Sequence, residues 1–295
     1  MKSTTWRNLG TEVQANNIAD VMVQAGLNYE VVLNPLQTTG GILVPDSYAS
    51  MTKDGSHIFG VVGSKYNPVQ NTEAFSFIDE MIPSGLIFEK AGQTRHGLVY
   101  IIASLPEYKL FGDKMKTYII FQNSHNGMIP LKAAITPLRL VCENQFNYAF
   151  KGASNTVKIR HTTSAQQRLG EAQRVMSQTQ DYTFQFQTLA HDLLGVRLTA
   201  AQVKSLIDRI LPLEKDAAEK KAQTVIEMRE NMYGIYTNEP DLQNFRGTGW
   251  GLANAYTDFM THSEPQRKAE GWQDNRFAYL LNLDMGDVID MIAAA

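Results

Sequence analysis

At 295 residues the chain is long enough to bury a full core, and 43% hydrophobic with 19% charged residues is ordinary globular usage, which excludes a disordered or fibrous protein. The single Cys142 excludes an internal disulfide framework, and the longest apolar runs, such as Leu98 to Ala103, fall far short of the roughly 20 residues a membrane helix needs. The net charge of −3 hides an asymmetry, because Lys90 to Arg174 carries 12 Lys or Arg against four acids while the flanks together carry −11.

In chain order, the N-terminal MKSTTWRNLGTEV has no apolar core of signal-peptide type, which predicts a reducing cytoplasm. Thr11 to Ala25 has apolar residues at helical spacing, with Thr11 as N-cap and Gly26 as the stop. YEVVLNPL, GILVP and HIFGVV then read as short strands of a meander. Asn71 or Thr72 caps a helix through Phe75, Ile78 and Met81, broken at Pro83-Ser84-Gly85. Four strands follow, at Leu86 to Lys90, Gly97 to Leu105, Met115 to Asn123 and Met128 to Thr136, with His125-Asn126-Gly127 predicting a two-residue hairpin turn. Pro137 ends the last strand, and Leu138 to Phe150 predicts a helix. Beyond Thr162 the periodicity is helical at Ser164 to Thr179, Thr183 to Leu194, Thr199 to Leu211, Glu214 to Tyr236 and Thr248 to Met260. Thr199 begins a capping box with Gln202, and Asp284 to Ala295 docks either on the body or on a neighbouring subunit. The expected fold is α+β: an antiparallel meander packed by helices in the order helix-ββββ-helix, then an all-helical C-terminal region. Three parts are expected: residues 1–62 as an N-terminal helix and β-arm, 63–162 as a basic core, and 163–295 as the helical region.

The strings GVVGSKYNPVQN, SHNGMIPLKAAITPLRLVCEN, VKIRHT and GTGWGLANAYTDF, in this order and spacing, resemble the phage/plasmid-like family known as domain of unknown function 932 (DUF932). The resemblance spans roughly residues 20 to 262 and implies a mobile-element context in a bacterial host cell. Asn126 stands where the family usually has Asp; Asn suits the same turn but removes a carboxylate that could serve an acid or a metal. The helix-strands-helix order also resembles single-strand annealing proteins of the RecT and Redβ type, a likeness of topology that names no site.

Lys65, Arg95, Lys116, Lys132, Arg139, Lys151, Lys158, Arg160 and Arg168 are the candidate phosphate contacts, since Lys and Arg neutralise phosphates and release counterions. His161, beside Arg160, is a further candidate, though a satisfied structural histidine is the plainer account. Tyr66, Tyr118, Phe121, Phe146 and Tyr148 are interleaved with these cations, and aromatic rings accept any base face. Tyr118 and Phe121 are better read as core, as strand aromatics commonly are, whereas Tyr66 in a loop beside Lys65 stays open between the two.

Catalytic readings are thinner. Cys142 near a helix start, with His125 or His161 as base, would suit a cysteine hydrolase, but no nucleophile signature surrounds it and free Cys is usually buried. The six histidines have no paired ligand spacing, and convergent carboxylates for a two-metal nuclease are not visible, so no metal or cofactor is expected. Gly247-Thr248-Gly249-Trp250-Gly251 lacks the Gly-Lys-Ser/Thr ending of a phosphate loop, which favours Thr248 as N-cap with Trp250, Ala253 and Tyr256 facing inward.

The leading expectation is a non-catalytic protein that binds single-stranded DNA, or duplex, in recombination or replication. Its partners would be its own copies as a homo-oligomer and phage or host replication and recombination proteins, with no membrane. A protein-binding regulator or host-defence antagonist acting through acidic C-terminal helices is the alternative, and a hydrolase or nuclease at His125, Cys142 and His161 the third.

Overall fold

The computed structural model describes residues 10–94, 97–139, 144–145, 155–159, 165–214, 216–262 and 285–295. It is an α+β protein with antiparallel sheets and a helical C-terminal region. The small sheet is the expected meander, ordered β2 (Val31–Gln37), β3 (Leu43–Thr52) and β4 (Ile58–Val62). The large sheet takes β1 (Thr11–Glu12), β5 (Ile87–Gln93), β6 (Leu98–Ser104), β8 (Asp113–Ser124), β9 (Lys132–Arg139) and β10 (Asn144–Gln145) in that order. Two short strands complete it: β7 (Tyr108–Leu110) pairs with β8, and β11 (Thr156–Lys158) pairs with β9.

One face of the large sheet turns Val99, Ile101, Ile119, Phe121, Ala133, Ile135 and Val157 into a core shared with α1 (Ile18–Gln24), the 3-10 helix Ser76–Ser84 and the first half of α3 (Ala165–Gly195). The other face is also largely shielded, since Tyr100, Ile102, Ile120 and Gln122 are all buried. Burial on both sides explains why β6 reads LVYIIAS, a continuous apolar run without alternation.

A second core gathers Phe186, Ala190 and Leu193 of α3 with α4 (Ala200–Ile210), α5 (Glu219–Asn238), α6 (Gly249–His262) and α7 (Gly286–Ala293), and Leu110 and Met115 enter it from the sheet. The long α3 therefore ties the two cores together over roughly 46 Å at 1.5 Å per residue. Helix α7 docks on the body: Ile289 and Ile292 are buried, and a Cβ on Gly249 would lie 3.0 Å from Ile292. No described helix is long and apolar enough to cross a membrane.

Several boundaries differ from expectation, each for a local reason. Thr11 is not a cap; it pairs with Ala91 in β1, and Asn17 caps α1 by accepting from the Asp20 amide, while Gly26 ends the turn at φ 66 as expected. Asn71 opens α2 (Asn71–Phe75) but does not cap it, because its side chain turns inward to donate to Leu27 O at 2.9 Å. His125-Asn126-Gly127 is not a two-residue turn: β9 begins only at Lys132, and of the pair Asn126-Gly127 only the glycine has positive φ, 74°. The predicted helix over Leu138 to Phe150 is replaced, at its described residues, by strand: β9 continues through Pro137 to Arg139, and Asn144 and Gln145 pair back onto it. Its remaining residues lie outside those described, so the helix that closes the helix-ββββ-helix order is α3. The expected interruption between Thr179 and Thr183 is absent, since each hydroxyl donates to the carbonyl four residues back and sits within a continuous helix.

Two readings of local sequence hold in detail. Thr199 and Gln202 form the reciprocal capping box of α4. Thr248 accepts from the Gly251 amide at 3.1 Å, and Trp250, Ala253 and Tyr256 are buried. The glycines of this string serve packing: a Cβ on Gly251 would lie 2.2 Å from the Phe245 carbonyl oxygen.

Candidate nucleic-acid interface

The cations that sequence groups together are distributed by strand register. On the sheet face away from the α3 core, Lys132 of β9 stands directly opposite Gln122 of β8 on one side and Lys158 of β11 on the other. Lys158 is exposed, and Lys132 is half-buried, which pulls its ammonium below the usual lysine range. The Lys158 carbonyl accepts from Arg174, whose guanidinium also pairs with Glu171, so the backbone of β11 is tied to α3.

Two residues past Gln122 along β8, the Ser124 carbonyl accepts a long hydrogen bond, 3.4 Å, from the Tyr66 hydroxyl. The Tyr66 ring also covers Gly127, where a Cβ would lie 3.7 Å from it. Lys65, next to it, is exposed. Lys65, Tyr66, Lys132 and Lys158 therefore belong to the same end of the large sheet.

Lys116 is elsewhere. It lies six residues from Gln122 along β8, roughly 20 Å at strand rise. Its ammonium is 2.6 Å from Glu89, whose same oxygen accepts from the Ser104 hydroxyl at 2.6 Å. Arg168, near the start of α3, is close enough to Asp79 to oppose the rise that burial imposes on that carboxyl, whose oxygen also accepts from the Ile18 amide. Arg139 is in register with Met115, and its side chain is outside the described residues, as are Arg95, Lys151, Arg160, His161 and Cys142. Tyr118 and Phe121 are buried as expected of core aromatics, while Phe146 and Tyr148 lie outside those described.

Behind Tyr66 is a buried polar cluster that sequence reasoning missed. His125, fully buried, meets Asn71 Oδ1 through Nε2 at 2.8 Å. Because the Asn71 amide nitrogen already donates to Leu27, its oxygen must accept, which places the His125 proton on Nε2 and leaves Nδ1 without a partner among the described residues. The Phe59 and Tyr29 rings lie 5.0 and 6.1 Å from the imidazole. Burial pushes His125 down to about 4 and Tyr29 up to about 12, the latter opposed by a hydrogen bond with Asn71; the Tyr29 hydroxyl also bonds Gln93. A histidine this weakly basic is poorly matched to general-base work near neutrality, and its role here is to hold the turn against the α2 entry.

Asn126 holds that turn from the other side, since its Oδ1 accepts from the Met128 amide at 2.9 Å and from the Ser124 hydroxyl. Both are acceptor roles that an aspartate would fill equally. The small sheet closes over the same place, with a Cβ on Gly60 falling 3.2 Å from Asn126 Cβ. The signal that could have found this cluster was the co-occurrence of GVVGSKYNPVQN and SHNG, whose Gly60, Tyr66 and Asn71 all touch the Ser124 to Gly127 turn.

Among the described residues no group of three or more His, Cys, Asp or Glu is placed to hold a metal ion. No curated protein and no solved structure matches the chain. The family model described as Domain of unknown function (DUF932) matches residues 58–280, a span that holds Phe59, Tyr66, Asn71 and His125 of the turn cluster and the Lys132–Lys158 pair, and the chain belongs to that family.

Proposed function

We propose that this protein binds nucleic acid through its phosphates, single strands foremost, and does no chemistry on it, serving annealing or protection during the recombination or replication of a mobile element. The observation that carries the reading is the pair Lys132 and Lys158, directly opposed on adjacent strands. Like charges in this position repel, and desolvation already disfavours the Lys132 ammonium. A phosphate held between them would meet two cations at once. Tyr66 and Lys65 at the same sheet end add a ring face and an exposed cation, the combination that single-strand binding uses. Self-association belongs to the same reading: the small sheet has open edges at β2 and β4 and exposes Ile42, Leu43, Ile58 and Val61, and several copies along one strand raise avidity without new contacts.

Fluorescence anisotropy of labelled single-stranded and duplex oligonucleotides over a salt series tests it. Single-strand affinity should fall with salt at a log-log slope of about 0.7 per phosphate neutralised. Lys132→Ala with Lys158→Ala should weaken binding by roughly tenfold or more and flatten the slope by about 0.7, the share of the one phosphate they hold. Lys116→Ala should leave both unchanged. No binding at low salt, or a double variant that binds as well as the parent, would overturn the reading.

A further inference from the structure

A cleft of about 360 Å³ opens to solvent between the β6–β7 connection and the middle of α3, within the span of about 300–1,000 Å³ usual for ligand pockets. Its lining includes Tyr108, Thr117, Gln180, Thr183, Phe184 and Gln187, and none of the lining residues carries a charge. An ion entering it would lose its hydration without a counter-charge, so the part of a ligand that enters is neutral.

Three features say what that part looks like. Gln180 and Gln187 lie seven residues apart, two turns along one face of α3, and among the described residues neither amide makes a hydrogen bond, so each offers a planar donor-acceptor pair. The Tyr108 hydroxyl is shielded from water beside Thr117 yet has no hydrogen bond of normal geometry. Phe184 is 70% exposed, an apolar ring left at the mouth of a polar cleft. A flat heterocycle with donors and acceptors on its edge would cover the ring and satisfy the amides together.

We infer that this cleft receives a single unpaired nucleobase, stacked on Phe184 and met at its edge by Gln180, Gln187 and Tyr108. The inference rests on the nucleic-acid reading but uses a different surface, on the helix-covered face of the sheet and away from the Lys132–Lys158 pair.

The test compares an oligothymidylate and an oligodeoxyadenylate with an abasic strand of the same length, and separately titrates adenosine and thymidine as free nucleosides by ligand-observed NMR. Base-bearing strands should bind at least roughly five-fold tighter than the abasic one, the increment expected of one aromatic stack. In a Tyr66→Ala background, which removes the other ring that could stack a base, Phe184→Ala with Gln187→Ala should erase that difference while leaving abasic binding intact, and should abolish saturation transfer to the nucleosides. Loss of abasic binding in Lys132→Ala with Lys158→Ala concerns the phosphate surface alone. A base-dependent increment that survives the cleft variant, or nucleosides that show no transfer to the parent protein, would overturn the inference even if strands still bind.

Discussion

Lys116 and Lys132 project from the same face of one sheet, on neighbouring strands, yet their surroundings are opposite. At one end Lys116 meets Glu89 at 2.6 Å, with Ser104 completing the carboxylate's hydrogen bonds. At the other, Lys132 is desolvated and faces a second lysine across the ladder. The first is held against a carboxylate; the second stands beside another cation, next to a turn held by a buried histidine. A count of cations along a sequence treats the two as equals, and only register and burial separate the lysine paired with Glu89 from the one proposed to meet a phosphate.

The largest expected effect probes the turn at the second end. His125 titrates near 4 in the folded protein because of burial, against about 6.5 when unfolded. The unfolded chain therefore takes up a proton below pH 6.5 that the folded protein refuses until about 4. Stability from this residue is fully present above pH 6.5 and is lost as the pH falls toward 4, on the order of 3 kcal/mol in all. Urea midpoints of the parent and His125→Gln should accordingly differ in pH dependence, with the parent falling more steeply; Asp54 and Asp79 titrate in both and cancel in the difference. Parallel profiles would show that the imidazole is not held neutral by burial.

A smaller effect contrasts the two ends directly. Glu89→Ala strands the Lys116 ammonium, whose side chain is only 19% exposed, together with the buried Ser104 hydroxyl. It should cost about 2 kcal/mol by denaturant unfolding, discounted from a fully buried pair because both partners still touch water, with no change in oligonucleotide affinity. Lys132→Ala should do the reverse, costing less stability than Glu89→Ala while weakening binding. If Glu89→Ala weakened binding as much as Lys132→Ala, the sheet ends would not be functionally distinct.

Much of the fold was legible because its signals are local. Strand-length apolar runs, the Thr199 capping box and the Thr248 cap all depend on neighbours within a few residues. The misreadings share a cause, namely that a distant partner outcompeted a local preference. Asn71 prefers a cap in isolation but reaches Leu27 O and His125 instead, and Thr11 leaves a helix start to pair with Ala91. Asn126-Gly127, good two-residue turn chemistry, is spread into a longer connection pinned by Ser124 and Met128. The site was legible only as composition: the sequence contains Lys132 and Lys158 twenty-six positions apart, and nothing short of the β9–β11 register says that they are opposite each other while Lys116 is not with them.

Tyr66 gives the smallest and sharpest distinction, because its ring and its hydroxyl belong to different accounts of the same residue. The hydroxyl reaches the Ser124 carbonyl only at 3.4 Å, beyond the usual range for such a bond, so Tyr66→Phe should change stability by less than about 0.5 kcal/mol. The ring contributes packing against the Gly127 turn and, in the binding account, a face for a base. Tyr66→Phe should therefore leave single-strand affinity nearly unchanged, whereas Tyr66→Ala should weaken it by about 1–3 kcal/mol, the range for loss of one stacked base. Measuring both variants against the abasic strand separates ring stacking from turn repair. A deficit in Tyr66→Ala that is equal for abasic and base-bearing strands would mean that the ring acts only by holding the turn, and that the Lys132 end of the sheet binds phosphate without reading a base there.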